Sequence, residues 1–273
     1  MVTRWSLLGT LTPWDLAALR FGVAGLLLLP IVVRHGLGHA AGIGWGRAVI
    51  LAIAAGAPYT LILYAGLALA PAGHGAVIIT GATPVVSTLL VWFWLGDRPS
   101  ATRLCGLPLI VAGLSLVSWP GLHGEHAAAT WLGDLLFAVD AVLWGLFTVL
   151  ARHWRVDPLR GTAVVWVLAL VYLPIYFFAF GGRLLAAPRT EVLFQGLYQG
   201  VGVAIAALAL YAWAIRVLGA SAASLVMPLV PIFSVFLAVP VLGEIPTAVQ
   251  GVGILAVSVG MVLAARVGAR GRS

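Results

Sequence analysis

Asp140 is the first residue to weigh for chemistry. It lies nine residues into an apolar run, 131–151, about 13 Å from the start of that run at the rise of an α-helix. An acid at such depth among apolar residues is costly and marks an interior or a partner. Phe137, Trp144 and Phe147 or Thr148 recur around it at helical spacing, so they share its face. A carboxylate flanked by rings suits an ammonium group, by charge and by cation–π contact; an acid held by a neighbouring helix is the structural alternative. His74 opens another apolar run, in Pro71-Ala72-Gly73-His74-Gly75, and Tyr59 follows Pro58 inside a third. Tyr198 and Gln199 bring polarity to a fourth. Tyr59, His74, Asp140, Trp144, Tyr198 and Gln199 are therefore the candidate substrate-binding residues. Pro58, Pro84, Pro228 and Pro231 are candidate helix breaks or gating points. A proline inside a helix frees a carbonyl and kinks the axis, and broken helices within a membrane are tolerated where they line a cavity. For Arg20 an ion pair or carbonyl contact is expected, and for Asp134 a capping role at a helix end.

Enzyme patterns are missing around these residues. His123-Gly124-Glu125-His126 has the wrong spacing for a zinc-binding HExxH helix. Neither a Gly-x-Ser-x-Gly elbow nor a phosphate-binding glycine loop precedes a suitable helix, and there is no ATP-binding domain. No catalytic residue, cofactor or metal is expected. The single Cys105 excludes an intramolecular disulfide and reads as a small packed side chain. One peptide, Glu191–Gly196, resembles the recognition sequence of a viral 3C protease, with Leu197 where proline is usual.

Composition sets the solvent in which these residues must be positioned. The chain is 62% hydrophobic and 8% charged, with a mean hydropathy of +1.11, far from the balance of a soluble domain. Runs of about 20 apolar residues cross a bilayer as helices. Nine such spans are expected: 14–33, 46–69, 72–95, 102–119, 131–151, 160–180, 194–215, 219–242 and 247–265. All fifteen basic residues are Arg, most of them in short connections. That pattern reads as the positive-inside bias of a membrane protein rather than as a nucleic-acid surface. With the Arg34–Arg47 loop placed in the cytoplasm, eleven arginines fall inside and two or three outside. The C-terminus is then cytoplasmic, and the expected location is a bacterial inner membrane crossed many times. Expected partners are the lipid bilayer and a small-molecule substrate; nucleic acid is not expected.

The spans repeat. Tyr64–Trp119 aligns without a gap on Tyr211–Arg266, 147 residues later. Pro84 falls on Pro231, Ser87 on Ser234, Gly96-Asp97-x-Pro99 on Gly243-Glu244-x-Pro246, and Gly106 and Gly113 on Gly253 and Gly260. Thirteen of 56 positions are identical, and the matches fall on turn, proline and glycine positions. Such a repeat means two copies of one unit: 1–119, a periplasmic connection at 120–130, and 131–273. The second copy has two spans before 194–215, whereas the first has only 14–33 before 46–69. A first helix absent from this chain, with Met1–Thr10 as its remnant, is the expectation. Five spans per copy is an odd number, so the copies must cross in opposite senses, the inverted repeat of many secondary transporters.

These residues resemble a known family. Leu16–Phe21 (LAALRF), the Tyr-Ala followed twenty residues after its Tyr by a span-centre proline, the LGD/LGE-x-P turn, the Gly-x6-Gly of the next span and Gly133-Asp134-Leu135 are similar to the EamA-type repeats of the drug/metabolite transporter superfamily. The aromatic and neutral amino-acid exporters, the YddG-like branch, are the nearest resemblance. It implies an all-α polytopic membrane fold of ten helices in two inverted five-helix halves, with both termini inside. It also implies a central cavity lined by the first, third, fourth, sixth, eighth and ninth family helices. The expected function is export of amino acids and related small metabolites by alternating access; a multidrug or organic-cation exporter on the same fold is the alternative.

Overall fold

The computed structural model of the chain describes residues 1–119, 127–180, 184, 186–207, 209, 210, 213, 214, 217 and 226–265. The described residues form helices and no strands. In hydrocarbon every backbone N–H and C=O must be satisfied within its own segment, which leaves apolar runs of this length one common solution. Among the described residues, seven helical segments are long and apolar enough to cross a membrane: Pro13–Arg34, Trp45–Leu69, Ala72–Leu95, Ala101–Ser118, Ala128–His153, Pro158–Phe180 and Ala248–Ala265. In chain order the α-helices are α1 (Val2–Leu7), α2 (Pro13–Arg34), α3 (Trp45–Ala55), α4 (Ala57–Leu69), α5 (Ala72–Leu95), α6 (Ala101–Ser118), α7 (Ala127–His153), α8 (Pro158–Ala169), α9 (Tyr172–Phe180), α10 (Arg189–Gln195), α11 (Leu229–Leu242) and α12 (Ala248–Ala265). The expected span 194–215 continues from α10 as a π-helical stretch, Gly196–Ala206; residues 208, 211, 212 and 215 lie outside the described set. The expected span 219–242 is represented by α11, and residues 219–225 of it lie outside the described set.

The chain forms two compact units. The first comprises Met1–Trp5, Ala65–Leu146 and Ala214–Ser273, the second Ser6–Tyr64 and Phe147–Trp213. Each unit draws helices from both copies of the sequence repeat. In the first, Val77, Ile110, Val117, Ile254, Val257 and Met261 form a buried apolar core. That core is closed by glycine contact between α6 and α12. A Cβ added at Gly106 would lie 2.6 Å from the Gly260 carbonyl oxygen, and one added at Gly113 would lie 2.6 Å from that of Gly253. Close approach of this kind needs glycine on both helices. The pairing runs Gly106 to Gly260 and Gly113 to Gly253, so the helices are antiparallel. Since α6 and α12 are equivalent in the sequence repeat, their opposed directions are those of an inverted repeat.

In the second unit α2 is the central helix. Thr12 and Asp15 close a capping box at its start, with the Asp15 carboxylate accepting from the Thr12 N–H at 2.8 Å, which satisfies donors that a helix end otherwise leaves bare. Tyr176 donates its hydroxyl to the same carboxylate. Phe21 packs edge-on against Tyr172 at 5.3 Å between ring centres. Gly25 lies against Leu170 and the Trp166 carbonyl, and Gly200 against Val23.

Candidate functional site

In the first unit the polar centre is His74. Gln250 accepts the Thr247 N–H on its Oε1 at 2.8 Å, and Thr247 Oγ1 accepts the Gln250 N–H at 3.3 Å, a reciprocal cap on α12. With the carbonyl oxygen engaged, the amide NH2 of Gln250 faces His74 Nε2 at 2.7 Å. Nε2 therefore accepts, and the imidazole carries its proton on Nδ1. That proton is donated to Asp134 Oδ1 at 2.8 Å. The chain Asp134–His74–Gln250 links α7, α5 and α12, and Gln250 reaches the Val117 carbonyl of α6 at 3.4 Å. The second oxygen of Asp134 is buried with no hydrogen-bond partner among the described residues. Asp134 thus holds the tautomer of His74 in place of the expected capping role, since α7 begins at Ala127, about two turns before it.

Beside this chain lies a cleft of about 240 Å³, with His74, Gln250 and Glu244 among apolar walls that include Val77, Val235 and Ile254. Glu244 accepts the Ala72 N–H at 2.9 Å, where a carboxylate complements the positive end of α5. Arg4 pairs with it, Nε to Oε1 at 3.5 Å, and also donates to the Leu67 carbonyl. Asp97, the repeat equivalent of Glu244, is exposed. One turn motif therefore serves two different ends.

Asp140 is fully buried in the first unit, as is Phe137, whereas Trp144 is 36% exposed. Phe137 fills the space left by Gly66 and Gly75, so this ring is packing. Trp144 and Asp140 share a helix and a face, but burial separates them: the acid is enclosed, and the indole stands at the edge of the buried stripe.

In the second unit Tyr59 is half-buried next to an interruption of the helical segment. Gly56, at φ −97° and ψ −127°, separates α3 from α4. Pro58, having no N–H, leaves the Ala54 carbonyl without its helical donor. Pro84 differs from the expected break. α5 runs unbroken through Pro84, and the hydroxyls of Thr80, Thr83, Ser87 and Thr88 bond back to carbonyls one turn earlier at 2.5–2.8 Å. One missing N–H in a 24-residue helix does not end it. Pro228 is the N-cap of α11 and Pro231 lies in its first turn, where no intrahelical donor is lost.

Tyr198 and Gln199 stand on the π-helical stretch, a geometry concentrated at functional sites. Tyr198 stacks on Phe194 at 6.1 Å. Gln199, 1% exposed, accepts the Tyr64 hydroxyl on Oε1 at 2.9 Å. Tyr64 in turn accepts from Arg20 Nη1 at 3.3 Å, and the Arg20 guanidinium lies 4.7 Å from the centre of the Trp166 ring. Gln199 also donates to Gln195 at 3.4 Å, and Gln195 donates to Ser6 at 2.6 Å. The protease-like peptide is thus built into the fold, with its glutamine fully buried. The sequence marks Gln199 and Arg20 separately, Tyr64 only as a repeat and motif position and Gln195 only as part of the protease-like peptide; Trp166 carries no signal beyond its polarity within an apolar run.

The sequence model of the EamA-like transporter family matches residues 1–119 and 131–266. An uncharacterized transporter of Archaeoglobus fulgidus is 25% identical over 248 residues, covering 89% of this chain and 85% of that protein. A Streptantibioticus cattleyicolor protein named "Probable terminal-alkyne amino-acid exporter" is 28% identical over 277 residues, with 91% and 88% covered. One solved crystal structure shares the fold, with a TM-score of 0.58 at 22% identity over 96% of this chain and 90% of its own.

Proposed function

Because the chain belongs to the EamA-like transporter family, a family of multi-pass membrane proteins, we propose that it exports amino acids and related small metabolites by alternating access. The observation that carries the substrate class is the similarity, along nine-tenths of both chains, to the Streptantibioticus cattleyicolor protein named as an amino-acid exporter. The mechanism is supported by the antiparallel contact of repeat-equivalent α6 and α12. In an inverted repeat, exchanging the conformations of the two copies changes which side of the membrane is open. Tyr59, His74, Asp140, Trp144, Tyr198 and Gln199 are the proposed substrate contacts, with Pro58 beside the break that gives its segment freedom to bend. The arginine bias supports a cytoplasmic C-terminus, and the inner membrane is the proposed location. The test is uptake into liposomes containing the purified protein, using labelled amino acids and labelled organic cations. Saturable amino-acid transport is expected; transport of the cations alone would replace this reading with organic-cation export.

A further inference from the structure

Arg20 is a buried cation that no carboxylate pairs with among the described residues. It is 8% exposed, on α2 about 10 Å from the start of a membrane-spanning helix. The nearest acid on its own helix, Asp15, is already held by Thr12 and Tyr176, and no described acid forms an ion pair with Arg20. Guanidinium has five N–H donors. Among the described residues, Tyr64 is the one hydrogen-bond acceptor that it uses, and Nε is buried with none. One face of the group lies against Trp166, and Tyr64 is in turn anchored by Gln199. The plane of the guanidinium is therefore fixed by two helices, while its Nε has no acceptor among the described residues.

A charge removed from water is strongly unfavourable unless it is paired and hydrogen-bonded. The edge that carries the unpaired Nε presents two parallel N–H groups, the fork that fits a carboxylate. Arginine cannot escape the cost by losing its proton. We infer that Arg20, positioned by Tyr64, Gln199 and Trp166, is the binding point for the carboxylate of a small-molecule ligand. The inference rests on the transport reading only in taking that ligand to be the exported substrate. Gln199 then also acts through Tyr64, as a positioning residue for Arg20.

The experiment uses the full chain, purified in detergent, and binding of phenylacetate and isobutyrate beside their neutral amides, phenylacetamide and isobutyramide. Each pair has nearly the same shape and differs in charge. Wild type is expected to bind the acids about ten- to a hundredfold more tightly than the amides, the range of a charge-assisted hydrogen bond. Arg20→Gln is expected to bring each pair to parity without weakening the amides. Arg20→Lys keeps the charge and most of the stem but loses the fork, so it should reduce the preference by about tenfold and serves if Arg20→Gln is not recovered folded. Equal binding of acid and amide by wild type, or a preference unchanged in Arg20→Lys, would overturn the assignment. Liposome transport separates the two readings. Amino-acid transport with no Arg20-dependent acid preference removes this site and leaves the exporter. An Arg20-dependent acid preference in a protein that moves no amino acid keeps the site and removes the exporter.

Discussion

Gly106→Ala tests the contact between α6 and α12 at the scale of one methyl group. The added Cβ would stand 2.6 Å from the Gly260 carbonyl oxygen and 2.9 Å from the Ala264 nitrogen. Both neighbours are backbone, so no side chain can rotate away. Ordinary contact begins at 3.4 Å, so the helices must separate locally by roughly 0.8 Å, the amount needed to restore van der Waals distance. Overpacking of this kind costs about 1–3 kcal/mol. Alanine returns about 0.5–1 kcal/mol through its better helix propensity, which leaves a net loss of roughly 0.5–2 kcal/mol. In lipid there is no hydrophobic drive to hold the pair together at the wider spacing. Gly113→Ala meets the Gly253 carbonyl at the same 2.6 Å and should behave alike. The double variant should cost less than the two added together, because one displacement relieves both. Gly251 supplies the control: it is on α12, and a Cβ there meets nothing within 4 Å. Gly251→Ala should be neutral or stabilising by the propensity term alone. Thermal unfolding of the purified protein reads all four variants. If Gly106→Ala and Gly113→Ala prove as stable as Gly251→Ala, glycine contact does not hold these helices and the antiparallel pairing is wrong.

Other outcomes follow from the polar groups. Asp134→Ala leaves the His74 Nδ1–H buried without its acceptor and should destabilise by about 1–3 kcal/mol; in thermal unfolding, Asp134→Asn should recover part of the loss, because its amide oxygen can still accept. Thr12→Ala removes the cap of α2 and should cost about 1 kcal/mol, seen in unfolding and as faster amide exchange in the first turn of that helix. For the proposed substrate contacts, Trp144→Ala should lower initial transport rates several-fold with little loss of stability, since the indole is 36% exposed and a ring contact is worth about 0.5–1.5 kcal/mol beyond its area. Wild-type rates would place Trp144 outside the cavity. Asp140→Asn removes charge at constant size and should change the preference between zwitterionic and cationic substrates; a variant altered only in thermal stability would make Asp140 a packing residue.

Most of the architecture is legible in the sequence because lipid leaves the backbone few choices. An apolar run of twenty residues must satisfy its own hydrogen bonds, so the run lengths and the breaks at Arg, Gly and Pro determined where helices form. The ungapped alignment of Tyr64–Trp119 on Tyr211–Arg266 determined that the chain is built twice, and helical spacing determined that Phe137, Asp140 and Trp144 share a face. Periodicity says which residues lie on one face of a helix, but not which helix that face meets. Only the tertiary structure decided that Gly106 meets Gly260, that Phe137 is packing, and that α5 passes through Pro84 unbroken. It also decided that Glu244 sits at the start of α5 while its repeat equivalent Asp97 stays exposed. The polar groups depend on it most. Arg20, Tyr64 and Gln199 are joined across separations of 44 and 135 residues, and His74 takes its tautomer from residues 60 and 176 positions away. A buried polar group must be satisfied by whatever the fold brings to it, and for Arg20, Tyr64 and His74 that partner is on another helix, at a distance in sequence that no local pattern records.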